Sequence, residues 1–419
     1  MTPPRKATGR SAAQAAHPHA SKPARPRTAL ALAGGGPLGA IYEIGALCAL
    51  DDCLQGIDFN GFDHYVGVSA GGFIAAGLAN GFTPHQLCHA FIEDRPTEES
   101  FDPSLLLKPA WAEMGGRLRR LPGLLGEALW AWGVQGRSLT NAFERLGAVL
   151  PTGVLDNEDI HRQIEHLFNK PGRSNDFRRL RARLTLVATQ LDTGEAAPFG
   201  RPGWDHVPIS RAIQASAALP GLFPPVNIDG KHYVDGALKK TLHATVALDE
   251  GVDLLLCLNP LVPFHAAPQE GRSRRIPSLV EGGLPTVMSQ TFRSMIHSRL
   301  ALGMKHYERA YPHTDIVLIE PDQRDAELFF ANTFSYRQRR ELAEHAYQQT
   351  RQMLRERQAE LAPRLLRHGV TLDPVALNDT ERHLIPAMPA AAPTPSAVDQ
   401  LHATLDRLQQ HLRTLPKRA

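Results

Sequence analysis

Only four cysteines, Cys48, Cys53, Cys88 and Cys257, stand in a chain of 419 residues, and none forms a C-x-x-C pair or has histidines at zinc-ligand spacing. That scarcity excludes a disulfide-stapled scaffold and gives no basis for a metal site. It suits a reducing compartment, so a cytoplasmic location is expected. Acidic residues are missing from positions 1–28, which hold Arg5, Lys6, Arg10, Lys22, Arg25 and Arg27. Without them the chain has 40 cations against 43 carboxylates, so its basicity belongs to the tail. Residues 1–27, rich in Ala, Pro, Ser and His, have neither the apolar stretch of a secretory signal nor enough apolar surface to order themselves, and are read as a disordered tail. Its charge gives at most a weak attraction to anionic lipid or nucleic acid, and no nucleic-acid partner is expected. Charge is also scarce at 29–50, where Glu43 stands alone, and absent at 65–82. A hydropathy scan would flag both as membrane spans. Gly34, Gly35, Gly36 and Pro37 in the first, and five glycines in the second, argue against uninterrupted helices.

Short apolar runs are present instead. Thr28–Ala33 ends in three glycines as a buried strand entering a tight turn would, and Ile41, Ile44, Leu47 and Leu50 then follow at helical spacing. Phe62–Val68 reads as a second strand, with Ser69 at its end and a small-residue helix over Ala70–Leu78. Leu184–Thr189, Asp253–Asn259 and Asp315–Ile319 are further strand-like runs separated by helical stretches, which predicts an α/β layered sheet with helices on both faces.

Three of the four tryptophans, Trp111, Trp130 and Trp132, fall in Leu105–Val134 among leucines and Arg117, Arg119 and Arg120. Two readings stay open: a lipid interface, with rings at headgroup depth and cations on phosphate, and a helical subdomain packed on the core. Residues 384–396, with four prolines, read as a linker. Beyond it Val398, Leu401, Leu405, Leu408, Leu412 and Leu415 give residues 397–415 an amphipathic seam. Such a helix can dock on its own domain or join two copies as a homodimer.

Gly67-Val68-Ser69-Ala70-Gly71 fits G-x-S-x-G at a strand-to-helix junction. A nucleophilic hydroxyl lifted clear of a sheet needs a sharp turn, and that turn tolerates only small residues two places either side. Gly34-Gly35-Gly36-Pro37-Leu38-Gly39, between a strand and a helix, suits either a phosphate cradle or an oxyanion hole of backbone N–H groups. No acidic residue marks the end of a second strand some twenty positions on, and no Gly-Lys-Ser/Thr follows. The neighbouring serine favours the oxyanion hole, where losing one donor costs about 3–4 kcal/mol of transition-state stabilisation. Tyr233-Val234-Asp235-Gly236-Ala237 puts a carboxylate at the end of an apolar run, where Asp-Gly alone would signify a turn. As partners for Ser69 in a Ser/His/Asp triad, the histidines offer His243, His265 and His313; His64 and His232 sit on strands leading into the motifs and are not assigned catalysis.

The glycine loop, the serine elbow and the Asp-Gly-Ala motif, in this order, resemble the patatin-like phospholipase family. The resemblance extends to Ala215-Ser216-Ala217-Ala218-Leu219-Pro220 and to a strand-like Thr189–Glu195, and covers residues 28–250. It implies a three-layer α/β sandwich with a central, mostly parallel sheet, in a catalytic domain of 28–383 with a helical insertion over 101–180 and a C-terminal strand and helices. It further implies a lipid acyl hydrolase of the carboxylic-ester type, working through an acyl-serine without metal or cofactor. Ser69 would be nucleophile and Asp235 general base, a dyad without histidine. Gly34, Gly35, Gly36 and Gly39 would form the oxyanion and substrate loop, with Gly67, Gly71, Gly236 and Ala237 in support. Many members carry Lys or Arg where Leu38 stands, and Pro37 offers no N–H to the loop. A Ser/Asp dyad works only if desolvation raises the carboxylate's basicity, so a raised Asp235 pKa is expected. The expected partner is a lipid ester, with peripheral contact to a membrane surface. A reading of another class is a non-catalytic lipid-surface scaffold, against which the intact Ser69, Asp235 and glycine loop argue.

Overall fold

The computed structural model describes residues 25–93, 108–110, 152–265, 278–331 and 336–385. The tail at 1–24, the tryptophan-rich segment apart from 108–110, most of the linker and the C-terminal seam lie outside the described residues.

In chain order the elements are β1 (Thr28–Leu32), α1 (Gly36–Cys53), β2 (Leu54–Gln55), β3 (His64–Gly67), α2 (Ala70–Ala79), α3 (Pro84–Phe91), α4 (Glu158–Phe168), β4 (Arg183–Gln190) and β5 (Ala196–Phe199). They continue with α5 (Ile209–Ser216), β6 (Val226–Ile228), β7 (Lys231–Asp235), α6 (Thr245–Leu248), β8 (Leu254–Leu258), α7 (Gly283–Ala310) and β9 (Asp315–Ile319). The last are α8 (Ala326–Phe329), α9 (Tyr336–Glu356), α10 (Gln358–Leu366), β10 (Thr371–Leu372) and α11 (Pro374–Asn378).

The main sheet runs β6-β7-β4-β3-β1-β8-β9, with β5 also paired to β4. Strands β4, β3, β1, β8 and β9 are mutually parallel, whereas β5 and β7 run antiparallel to β4, and β6 antiparallel to β7. Side chains of a strand alternate between faces. On β1, Leu30 and Leu32 join one core with Leu254, Leu256 and Leu258 of β8, beneath α1, α2 and α9. Ala29, Ala31, Leu255 and Cys257 join a second core with Ala247 and Leu248 of α6 and Leu300 and Tyr307 of α7. Both faces are covered, which is why β1 and β8 read as unbroken apolar runs. The architecture is therefore a mixed, mostly parallel sheet between two helical layers, as expected.

Three local expectations change. The second strand is shorter than Phe62–Val68, although Asp63 still donates to the Thr28 carbonyl (3.0 Å) and Val68 to that of Leu32 (3.1 Å) as the chain enters and leaves the ladder. Thr189–Glu195 is not one strand: β4 ends at Gln190, and Gly194 N–H closes a turn on the Gln190 carbonyl at 2.8 Å before β5 begins. The glycine loop ends sooner than expected, because α1 starts at Gly36 with Pro37 in its first turn, where a missing N–H costs no helical bond.

Leu256, at the middle of β8, is 1% exposed. Leu256→Ala should lower unfolding stability by about 3 kcal/mol, read from the shift of the urea midpoint at constant slope.

Candidate active site

The chain leaves β3 at Gly67 and enters α2 at Ala70, so Ser69 occupies the turn between them. Its backbone is left-handed, with φ of 53° and ψ of −125°, a conformation L-residues rarely adopt and one that stores strain at functional turns. The flanking glycines permit it. A Cβ on Gly67 would lie 2.4 Å from the Gly72 Cα, and one on Gly71 would lie 2.3 Å from the Ala33 carbonyl oxygen. Ser69 is 6% exposed. Its N–H donates to Ser216 Oγ at 2.8 Å, and the Ser216 hydroxyl donates in turn to the Val187 carbonyl at 2.6 Å. Ser216, at the end of α5, thus straps the elbow to β4. It lies in the Ala215–Pro220 stretch already noted in the sequence, but its bond to the elbow was not legible there, since it joins residues 147 positions apart.

Asp235 ends β7 and pairs in register with Ala188 of β4. Gly67 pairs with Leu186 on the other side of β4, so β4 lies between the two strands that deliver Ser69 and Asp235. The Asp235 carboxyl lies beside Ser69, close enough for the serine to lower its pKa, and its Oδ1 accepts from the Ala237 N–H at 2.8 Å. Asp235 is 3% exposed, and burial pushes its carboxyl up to about 6 against the Ala237 N–H and the neighbouring Ser69, which pull it down. The expected rise is present. Gly236 follows because no side chain fits: its Cβ would meet the Val187 carbonyl oxygen at 2.1 Å.

The glycine loop closes the third side. A Cβ on Gly34 would fall 2.9 Å from Ser69 Cβ and 3.5 Å from both Ser69 Oγ and Ala237 Cβ, so this backbone lies directly against both other motifs. Among the described residues, the N–H groups of Gly34, Gly35 and Gly36 donate to no other backbone group, while Gly39 N–H is taken by the Gly35 carbonyl at 3.0 Å. Gly39 therefore packs the loop, against Pro260, rather than offering a donor. A hydroxyl beside a buried carboxylate, with unengaged backbone donors alongside, is an arrangement able to deprotonate the hydroxyl and hold a developing oxyanion.

The histidines stand apart from this arrangement. His243 is buried and donates from Nε2 to the Gly236 carbonyl at 3.2 Å; burial pushes its pKa down to about 4, so it is uncharged at neutral pH. His313 lies before β9 and His265 after β8, both exposed, and His64 begins β3, at the opposite end from Ser69. None of them is hydrogen-bonded to Ser69 or Asp235 among the described residues. Among the described residues no cluster of three or more His, Cys, Asp or Glu side chains could hold a metal, and no helix is long and apolar enough to cross a membrane.

A carboxyl with a raised folded-state pKa favours the fold only while protonated, so its contribution is complete below the unfolded value near 3.8 and is lost as pH rises through about 6. Asp235→Asn removes that loss. The variant should be more stable than the wild type by on the order of 3 kcal/mol at pH 7.5, a gap that closes towards pH 4 in paired urea titrations.

Residues 30–248, just over half of the chain, match the family model described as patatin-like phospholipase. Among solved structures the chain is similar to VipD from Legionella pneumophila, at 17% identity over 79% of this chain and 67% of that one, with a TM-score of 0.37. It is also similar to the type III effector protein ExoU, at 18% identity over 80% of this chain and 54% of that one, with a TM-score of 0.34. Full-length ExoU in complex with SpcU, from Pseudomonas aeruginosa, matches at 17% identity over 68% of this chain and 53% of that one, with a TM-score of 0.25. The chain thus spans about half the length of ExoU in these two structures. By the match over 30–248, which takes in the glycine loop, the serine elbow and the Asp-Gly-Ala motif, this chain belongs to the patatin-like phospholipase family.

Proposed function

We propose that the protein is a lipid acyl hydrolase that cleaves carboxylic esters through an acyl-Ser69 intermediate, with Asp235 as the only general base. The observation that carries this reading is the Ser69 side chain set beside a buried carboxyl whose pKa is raised to about 6. Ser69 Oγ attacks the ester carbonyl as its proton passes to Asp235, and the tetrahedral oxyanion is held by N–H groups of Gly34–Gly36. Collapse expels the alcohol, which takes the proton from Asp235. Water then gives a proton to Asp235 and attacks the acyl carbonyl, and the proton returns to Ser69 Oγ as the fatty acid leaves. The reaction needs no cofactor. The bond between His243 and the Gly236 carbonyl supports a positioning role for that histidine rather than a place in a triad. The four buried, unpaired cysteines support a reducing, cytoplasmic setting.

The test is fatty-acid release from a panel of phospholipids and short p-nitrophenyl esters. Ser69→Ala and Asp235→Asn should each lose about a thousandfold or more in kcat, while the exposed His265→Ala and His313→Ala stay within about twofold. An active Asp235→Asn together with a dead histidine variant would make this a triad hydrolase. Because Asp235 must be ionised to accept a proton, kcat/KM should rise with pH on a single limb centred near 6 and stay level above it. Ser216→Ala strands the Ser69 N–H and the Val187 carbonyl, and should lower kcat by about tenfold or more with KM nearly unchanged.

A further inference from the structure

Helix α7 keeps its apolar side in two places at once. Leu300 and Tyr307 point into the second core, yet Leu284, Met288, Met295 and Leu302, spaced four, seven and seven apart, share the opposite side and are 72%, 42%, 48% and 68% exposed. Thr291 and Ser298 fill the intervening positions of this stripe, and Val287 and Phe292 widen it. From Leu284 to Leu302 the stripe runs about 27 Å. A lone exposed leucine needs no explanation, but a continuous outward stripe of this length marks a surface that meets something apolar.

The helix is fastened to the segments that frame the candidate site. Arg299 donates to the Leu238 carbonyl at 2.8 Å, three residues beyond Asp235, and the Thr241 hydroxyl donates to the Ile296 carbonyl at 3.3 Å. Gln290 bonds the Phe264 N–H and carbonyl at 2.9 and 2.8 Å, in the chain that follows β8. Along the stripe the charge has one sign: between Gly283 and Tyr307 stand Arg293, Arg299 and Lys305 and no carboxylate, Glu308 coming only in the last turn of the helix, and Lys239 and Lys240 are exposed on the adjoining loop. A seam joining two copies would carry charged pairs beside its apolar positions, whereas Val287, Phe292, Ser294 and Ala301 flank this one. Apolar and small residues across a wide arc, with cations and no carboxylate over the length of the stripe itself, match the depth profile of a phospholipid surface, with hydrocarbon under the stripe and phosphate beside Arg299 and the lysines.

We propose that the outward stripe of α7 is a membrane-docking face that lies on a phospholipid bilayer and presents the Ser69–Asp235 site to it. The proposal rests on the acyl hydrolase reading for its occupant, and its test separates the two. Wild type, Ser69→Ala and the triple variant Met288→Gln/Met295→Gln/Leu302→Gln are floated with phosphatidylcholine vesicles containing a minor fraction of phosphatidylglycerol. Each is also assayed on those vesicles and on soluble p-nitrophenyl butyrate. The replaced side chains are outward-facing and glutamine is a good helix former, so the fold should survive, as checked by thermal unfolding. Wild type and Ser69→Ala should float equally, and the triple variant should lose about tenfold or more in vesicle binding and in vesicle hydrolysis. On the soluble ester it should keep its kcat/KM within about twofold. A triple variant that floats like the wild type overturns the proposal, as does a wild type that stays unbound. So does a wild-type dimer that the triple substitution converts to monomer without change in flotation, which would assign the stripe to a second copy. If Ser69→Ala hydrolyses the soluble ester like the wild type, the catalytic reading fails while the flotation result still decides the docking face.

Discussion

Asp235 gives up its water on folding and receives in exchange the hydrogen bond of the Ala237 N–H and the neighbourhood of Ser69. The imbalance between those two quantities governs the site. Fewer bonds than a solvated carboxylate enjoys raise its basicity in the direction the proposed proton transfer requires; full solvation or a nearby cation would return it to the ordinary carboxylate range. The surroundings maintain the imbalance. β4 separates the strands that bring Ser69 and Asp235, the glycine loop covers them, and His243, itself neutral through burial, spends its Nε2 on a carbonyl rather than on the carboxylate.

The sheet explains why so much of this was legible in the sequence. A strand covered on both faces needs apolar residues at every position, so β1, β8 and β9 announce themselves as short apolar runs, and the three motifs fall where such runs stop. The serine elbow was readable because its geometry forbids side chains at Gly67 and Gly71. Edge elements were less visible. β5 and β6 are four and three residues long and alternate buried with partly exposed positions, which no periodicity distinguishes from loop. The strap from Ser216 to the Ser69 N–H joins distant residues, and a serine in an α-helix has many uses, so nothing local marks it. The outward stripe of α7 escaped for a different reason. Nothing in the spacing of its apolar residues says which side of a helix meets the core until the neighbours on each side are known.

Helix α7 also shows how one face of the sandwich can serve two purposes. The β1 residues beneath it are Ala29 and Ala31, whereas those on the other face are Leu30 and Leu32. Small residues let the second layer sit close to the sheet with few inward side chains, leaving the rest of the helix surface unused by the core. The chain therefore has apolar residues to spare on the outside without thinning its interior.

The hairpin of β6 and β7 holds Asp235 at the border of the sheet, tied to the parallel body by three residue pairs between β7 and β4. Ser69 is carried by a strand inside the parallel body, paired over four residues with β1 and four with β4. The two groups that the proposed reaction needs side by side thus belong to parts with unequal support. An ageing or heated molecule loses its border first, and can keep an intact body long after the pair has parted. The site is only as durable as the hairpin that holds Asp235 in place.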